Sequence, residues 1–382
     1  MKKTAEVVVI GGGVVGCSIA YHLAKNGCKN VVLLERSFLA SGSTGRCGAG
    51  VRQQWGTEMN CRLSTGSCRD LENMNEELDY DGDIEFHQGG YLLVAYTDHQ
   101  VEQFRKNVAL QNSLGIDSRM VTPAEAKEIV PHLNTEGLLA ATFYQKDGHA
   151  NPFHVTRAYA MAAQRIGVEI NTYTTVTGIR TENGRVVAVE TDKGEISTPV
   201  VVDAAGGYAA VVAEMVGLKL PTFSERHQIL VTEPVEPMQG PMVMSFHHHI
   251  YCQQSPHGSF IMGFGDPNEK PGFNIRSSWQ FLKDMAETIT WLLPPLADLR
   301  IVRQWAGLYH MTPDRQPIFG EAPTVKGFHM ALGFSGHGFM IAPMTGRLIA
   351  QNILGLPLDM PIDMLGLDRF EKGQLILEPS VV

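Results

Sequence analysis

Three glycines, Gly11, Gly13 and Gly16, stand in the run GGGVVG directly after the apolar stretch EVVVI at 6–10. A strand that feeds a helix through such a turn can cradle a pyrophosphate. The first glycine permits the tight turn, the second lets backbone approach the phosphates, and the third lets the helix pack closely on the strand. Val14 and Val15 open that helix, whose free N–H groups and partial positive charge favour phosphate. Glu35 closes the next apolar run, NVVLLE, at the distance where a carboxylate accepts hydrogen bonds from an adenosine ribose, and Arg36 follows it. Strand, glycine turn, helix and acid in register specify a dinucleotide.

Which dinucleotide is decided further along. A nicotinamide enzyme continues through regular βαβ units, whereas here the second strand leads into RSFLASGSTGRCGAGVRQQWG. Its small residues let the chain pass close to an isoalloxazine ring, which favours FAD. Ser43, Thr44, Arg46, Cys47, Gly50 and Val51 belong to this stretch. Val176 precedes a turn-punctuated meander, and the buried run VVVDAAGG (200–207) places Ala205 and Gly206 for cofactor contact. Near the C-terminus, LGFSGHGFMIAP (332–343) holds Gly333, Gly336, His337, Gly338, Phe339 and Met340, too glycine-rich for a helix interior.

Elements of βαβ type therefore stand at both ends of the chain, with mixed strand and helix between them. Helices are expected over 98–115, 123–133, 152–166 and 276–293, and another from about 343. The meander is punctuated by ENGR and DKGE. The fold class is α/β (α+β overall): a Rossmann-like FAD-binding domain of 1–85, 145–220 and 305–382. An interleaved substrate domain, 86–144 and 221–304, is built on a mixed β-sheet. No internal repeat or low-complexity linker is present.

Bulk properties bound the remaining classes. The chain has 382 residues, 44% hydrophobic and 19% charged, with a formal net charge of −9. That gives no electrostatic reason to bind nucleic acid or an anionic membrane, and no apolar run approaches the length of a membrane span. The start, MKKTAEVVVIGGG, lacks a small-residue cleavage site and reads as a strand, so the protein is expected in the cytoplasm. Six cysteines without a CxxC pair are expected as free thiols. FHHHI (246–250) is read as a strand, on which three consecutive histidines alternate between faces, so no metal site is expected.

The motifs GGGVVG, Glu35, SGSTGR (41–46), VVVDAAGG, TPDRQPIFG (312–320) and GFSGHGFMIAP (333–343) together resemble the FAD-dependent amine and amino-acid oxidoreductases of the D-amino-acid oxidase superfamily. The resemblance covers essentially the full length. It is greatest to the β-subunits of heteromeric sarcosine oxidases and L-proline dehydrogenases, through STGRCGAGVRQQ and GFSGHGFM.

The resemblance implies elongated FAD and oxidation of a C–N bond by hydride transfer to flavin N5. It places 333–338 along the flavin, with His337 as an orienting candidate. It assigns Arg52 to the substrate carboxylate and sets Tyr251 beside the substrate. The sequence departs from monomeric sarcosine oxidases at three places. Met340 stands where they carry a carboxylate-binding lysine, and GSFIMGFG (258–265) lacks their flavin-facing lysine. Gly307 stands where some relatives tether FAD through cysteine, so FAD is expected to be non-covalent. Loss of the lysines tilts the reading from oxidase to dehydrogenase. The resemblance further implies an α-subunit partner with redox cofactors and an FMN at the subunit interface. In HANPFHVTRAYA (149–160), Pro152 stands at the position of the FMN-tethering histidine. The alternatives are a self-sufficient glycine- or sarcosine-type oxidase, and a non-enzymatic redox module using Cys47.

Overall fold

The computed structural model describes residues 1–379. The run VVVI forms the wholly buried strand Val7–Ile10, inside a six-stranded sheet. Val31–Leu34 lies parallel on one side and Val201–Asp203 parallel on the other. Phe328–Leu332 continues the second side in parallel, Ile318–Glu321 ends it antiparallel, and Glu169–Asn171 ends the first. Covered on both faces, the central strands Val7–Ile10 and Val31–Leu34 have no polar side and are continuously apolar, whereas the edge strand Glu169–Asn171 is only half-buried.

The helix Val14–Lys25 packs on this sheet together with Gly338–Leu354 and Pro152–Arg165. It meets Gly338–Leu354 almost backbone to backbone. A Cβ at Gly346 would stand 2.0 Å from Ser18 Oγ. The meander 176–197 forms a separate three-stranded antiparallel sheet, turned by Asn183 and Gly184 in left-handed conformations.

A second, eight-stranded mixed sheet is drawn from 91–144 and 223–311. Alternation along Tyr91–Ala95 sends Leu92 and Val94 to one face and Tyr91, Leu93 and Ala95 to the other. The first face is covered by Trp279–Leu292, through Phe281, Met285 and Ile289. The second face carries Tyr91, Ile229, Met242 and Tyr251 and lines the site.

Several expectations need correction. FHHHI is not a strand: 246–249 form the turn of a hairpin between Met242–Ser245 and Ile250–Gln254. His249 takes a positive φ there, and Ser245 Oγ lies 2.9 Å from His248 Nδ1. The helix expected over 123–133 ends at Ile129, because Val130 precedes a proline and is driven to extended φ/ψ. Its start has the capping box that TPAE implies. The last helix begins at Gly338 rather than near 343, so Pro343 lies inside it and forfeits a backbone hydrogen bond. The boundary expected at 305 cuts the strand Ile301–Met311, which is a single edge strand of the eight-stranded sheet. Among the described residues, no helix is long and apolar enough to cross a membrane.

Candidate active site

The glycine turn sets the floor of a cavity of about 530 Å³, within the roughly 300–1,000 Å³ span of small-molecule sites. Gly11 has φ +117°, and a Cβ there would come within 2.3 Å of the Ala204 carbonyl oxygen. Gly13 caps the helix, and Thr44 Oγ1 accepts the Val14 N–H at 3.2 Å. Glu35 is buried at the strand end. Its carboxylate accepts from the Gly12 N–H at 2.8 Å, the Ser37 N–H at 2.7 Å and the Ser41 hydroxyl at 3.3 Å. The Arg36 guanidinium lies 3.7 Å from the centre of the Tyr208 ring.

Ser43 donates to the Leu308 carbonyl at 2.6 Å and Arg46 to the Ala306 carbonyl at 3.1 Å. These bonds tie the SGSTGR loop to the edge strand of the second sheet, so the cavity bridges both sheets. Val14, Val15, Cys47, Val176, Ala205, Gly206, Gly336, Gly338 and Phe339 complete the expected lining.

Four expected residues do not line either cavity. Gly16 packs instead, since a Cβ there would lie 1.9 Å from the Gly11 carbonyl oxygen. Val51 is fully buried in a two-stranded ribbon. Gly333 takes φ +74° against Thr312, and Gly307 lies against Arg46.

A smaller cavity, about 80 Å³, adjoins the first through Cys47, Tyr309, Ser335, Gly336 and Phe339, which line both. It gathers Arg52, Tyr251, His337 and Met340, together with Gly50, where a Cβ would collide with Tyr91 Oη. Arg52 is buried. Desolvation lowers its pKa, while Tyr91, Glu378 and Asp147 oppose that shift. One guanidinium N–H donates to the Gln54 carbonyl at 2.9 Å.

Burial pulls the His337 pKa down to about 3, with the Arg52 charge adding to it, so the ring is neutral. Tyr251 stays protonated because burial raises its pKa well above the usual phenol value. Ile261 lies on the sheet face that carries Tyr251, packed in its cluster. The half-buried Cys47 thiol is pushed up to about 12 by desolvation, which disfavours the thiolate.

Sequence reasoning missed Trp55, Tyr91, Met242, Met244 and Tyr309 in this lining. Strand alternation through Tyr91 and Met242 carried a signal for two of them. It also missed His227, whose ring stacks parallel to Tyr309 at 4.3 Å and to Tyr251 at 5.8 Å.

The larger cavity has what FAD requires: a glycine cradle no side chain could enter, a helix N-terminus and a buried acid. Known proteins agree. The sequence matches the model of the family described as FAD dependent oxidoreductase over residues 6–352. It is 32% identical to sarcosine oxidase subunit beta of Rhodobacter capsulatus, covering 99% of this chain and 91% of that one. The Arthrobacter sp subunit beta is also 32% identical, with 99% and 94% covered. The solved L-proline dehydrogenase from P.horikoshii superposes with a TM-score of 0.92 at 38% identity, covering 98% of this chain and 100% of that one. A cofactor cradle of this make, matched along almost the whole sequence, means that the chain belongs to the FAD-dependent oxidoreductase family.

Proposed function

We propose that this chain is a dehydrogenase subunit that oxidises the C–N bond of a secondary amino or imino acid of the proline, hydroxyproline or sarcosine type. The observation that carries the reading is a single buried guanidinium, Arg52, in a small cavity walled by Trp55, Tyr251 and three methionines, opening on the dinucleotide cavity. When bound, FAD supplies a hydride acceptor. Oxidising C–N to C=N removes a hydride from carbon and a proton from nitrogen, so the amine must arrive unprotonated. The residues around it suit that demand, because His337 and Tyr251 are both neutral and neither repels nor protonates the amine. Arg52 offers a planar fork to the carboxylate. Met340, Met242 and Met244 give an apolar wall to a ring or N-methyl group and keep water out. Alignment rather than a dedicated base then carries the rate.

Electrons pass on to a partner subunit rather than efficiently to oxygen. This rests on the absence, near Ile261 and at Met340, of the lysines that the resemblance to monomeric sarcosine oxidases implies, since a cation near the flavin stabilises superoxide-like charge. It rests also on likeness to proteins named as subunits. The partner is an α-subunit with further redox cofactors, and the shared FMN is held without a covalent tether. Pro152 fills the first position of its helix behind the Asn151 cap, and the neighbouring histidines are engaged in the fold. His154 Nδ1 lies 2.6 Å from Tyr80 Oη, and His149 is buried. Six free cysteines suit a reducing cytoplasm.

An anaerobic screen of amino acids for flavin bleaching tests the substrate class; bleaching by cyclic or N-methylated acids is expected. Steady-state rates with an artificial acceptor should far exceed those with oxygen. Comparable rates with both would instead identify a self-sufficient oxidase. Flavin analysis of the native complex giving FAD alone would remove the FMN.

A further inference from the structure

The helix Glu58–Glu72 begins immediately after the Arg52–Trp55 segment, and its N-cap residue, Thr57, makes no capping bond to its own helix. Groups at and just before its N-terminus are instead bonded from the far end of the chain. The Glu378 carboxylate accepts from the Gly56 N–H at 2.8 Å, the Thr57 hydroxyl at 2.7 Å and the Asn60 side-chain amide at 2.9 Å. Asn60 is fully buried, so this contact reaches into the fold. Gly56 leaves the room: a Cβ there would stand 2.4 Å from Pro379.

The strand of chain that delivers Glu378 is itself anchored. The Ile376 N–H donates to Asp314 at 3.3 Å, and Asp314 is held by the buried Arg369 fork at 2.8 and 3.0 Å. On the inner side, Gln111 donates to the Trp55 carbonyl at 2.8 Å. The turn that carries Arg52 and Trp55 is therefore fastened from two directions, by Gln111 from within and by Glu378 from outside.

We infer that Glu378 is a positioning residue for the substrate carboxylate: bound across Gly56, Thr57 and Asn60, it fixes the turn that aims Arg52 into the small cavity. The inference rests on the reading of Arg52 given above. Glu378 itself does not line the cavity and touches no reacting atom. Beside the direct support its charge gives the Arg52 cation, it acts through a turn whose aim must hold to a fraction of an ångström, since a bidentate pair has a narrow geometry. The negative charge also suits the positive end of the helix dipole, which an amide would serve less well.

The test uses the full-length holoprotein and two probes of the same shape, the anion 2-furoate and the neutral 2-furamide, followed by perturbation of the flavin absorption spectrum. Glu378→Gln should weaken 2-furoate binding roughly tenfold or more while leaving 2-furamide binding unchanged. Thr57→Val, which removes one of the three contacts, should give the same signature in smaller measure and guards against a folding defect in the first variant. On an Arg52→Ala background, Glu378→Gln should have no further effect on 2-furoate. Equal losses for both probes, or no loss for either, would overturn the inference. If Arg52→Ala alone leaves 2-furoate binding intact, the reading of the site fails first. If Arg52→Ala weakens it and both other variants do not, only the role of Glu378 fails.

Discussion

The Arg52 guanidinium lies 3.9 Å from the centre of the Trp55 ring, and the Trp55 indole N–H donates back to the Arg52 carbonyl at 2.9 Å. Each residue thereby restrains the other, and the cation is held over an aromatic face while its fork remains directed by the turn. A buried cation stacked in this way is preorganised for an anion.

Replacing Arg52 by alanine should weaken binding of the substrate carboxylate by about 2–4 kcal/mol, read as a rise in KM. Arg52→Lys should recover little of it, since a point charge can neither stack in the same plane nor bind bidentately. An unchanged KM in the alanine variant would remove Arg52 from the site.

Acid should destabilise the holoprotein through its buried histidines. Burial lowers His22 to about 3, and His149, His227 and His310 to about 4. Unfolded, each titrates near 6.5. A lowered folded pKa contributes stability that is fully present above the unfolded pKa and is lost as pH falls toward the folded value. Tm should therefore fall progressively between about pH 6.5 and 4. His22, set among Tyr21 and Tyr159 away from both cavities, allows a clean check. His22→Gln should flatten the slope of Tm against pH, and a slope unchanged by that substitution would contradict the assignment.

Local signals made the cofactor half of the site legible. Gly11, Gly13 and Glu35 come together on the wall of the larger cavity, because a turn between strand and helix is a short-range structure that the sequence encodes directly. Gly16 was legible too, but as a packing residue: it makes room for the Gly11 carbonyl and lies off the cavity wall. The substrate half was harder to read. Arg52, Trp55, Tyr91, Met242 and His337 meet only through pairings between distant strands, such as Tyr91 with Met242. No periodicity announces which strands will be neighbours. The histidine run misled for a related reason. Its composition suited a strand, but the antiparallel pairing of its flanks required a reversal at 246–249.

At the glycine turn, Gly11→Ala should abolish FAD retention. The φ of +117° is a conformation alanine rarely adopts, and the added methyl would lie 2.3 Å from the Ala204 carbonyl oxygen, which is backbone and cannot swing away. Gly42, where a Cβ meets nothing within 4 Å, is the control. Gly42→Ala should keep FAD, as measured by the flavin-to-protein absorbance ratio after gel filtration. Equal retention by the two variants would show that the cradle does not depend on close backbone approach.

FAD should be held without a covalent bond. Gly307 lies in the strand Ile301–Met311, paired with His227, and it lines neither cavity. A Cβ at this position would face Arg46, 3.1 Å from that residue's own Cβ. Arg46 is in turn fixed by its bonds to the Ser41 and Ala306 carbonyls, so the loop yields little. Close packing of the SGSTGR loop on the strand thus occupies the space that a tethering side chain would need. Retention then depends on the glycine cradle, Glu35 and the cavity walls, all of which are lost when the protein unfolds. Acid precipitation should release the flavin absorbance to the supernatant, and yellow colour remaining in the washed pellet would refute the claim. Gly307→Ala should still bind FAD, with a modest loss of stability of about 1–3 kcal/mol from overpacking against Arg46. Loss of flavin in that variant without loss of stability would place residue 307 in direct contact with the cofactor after all.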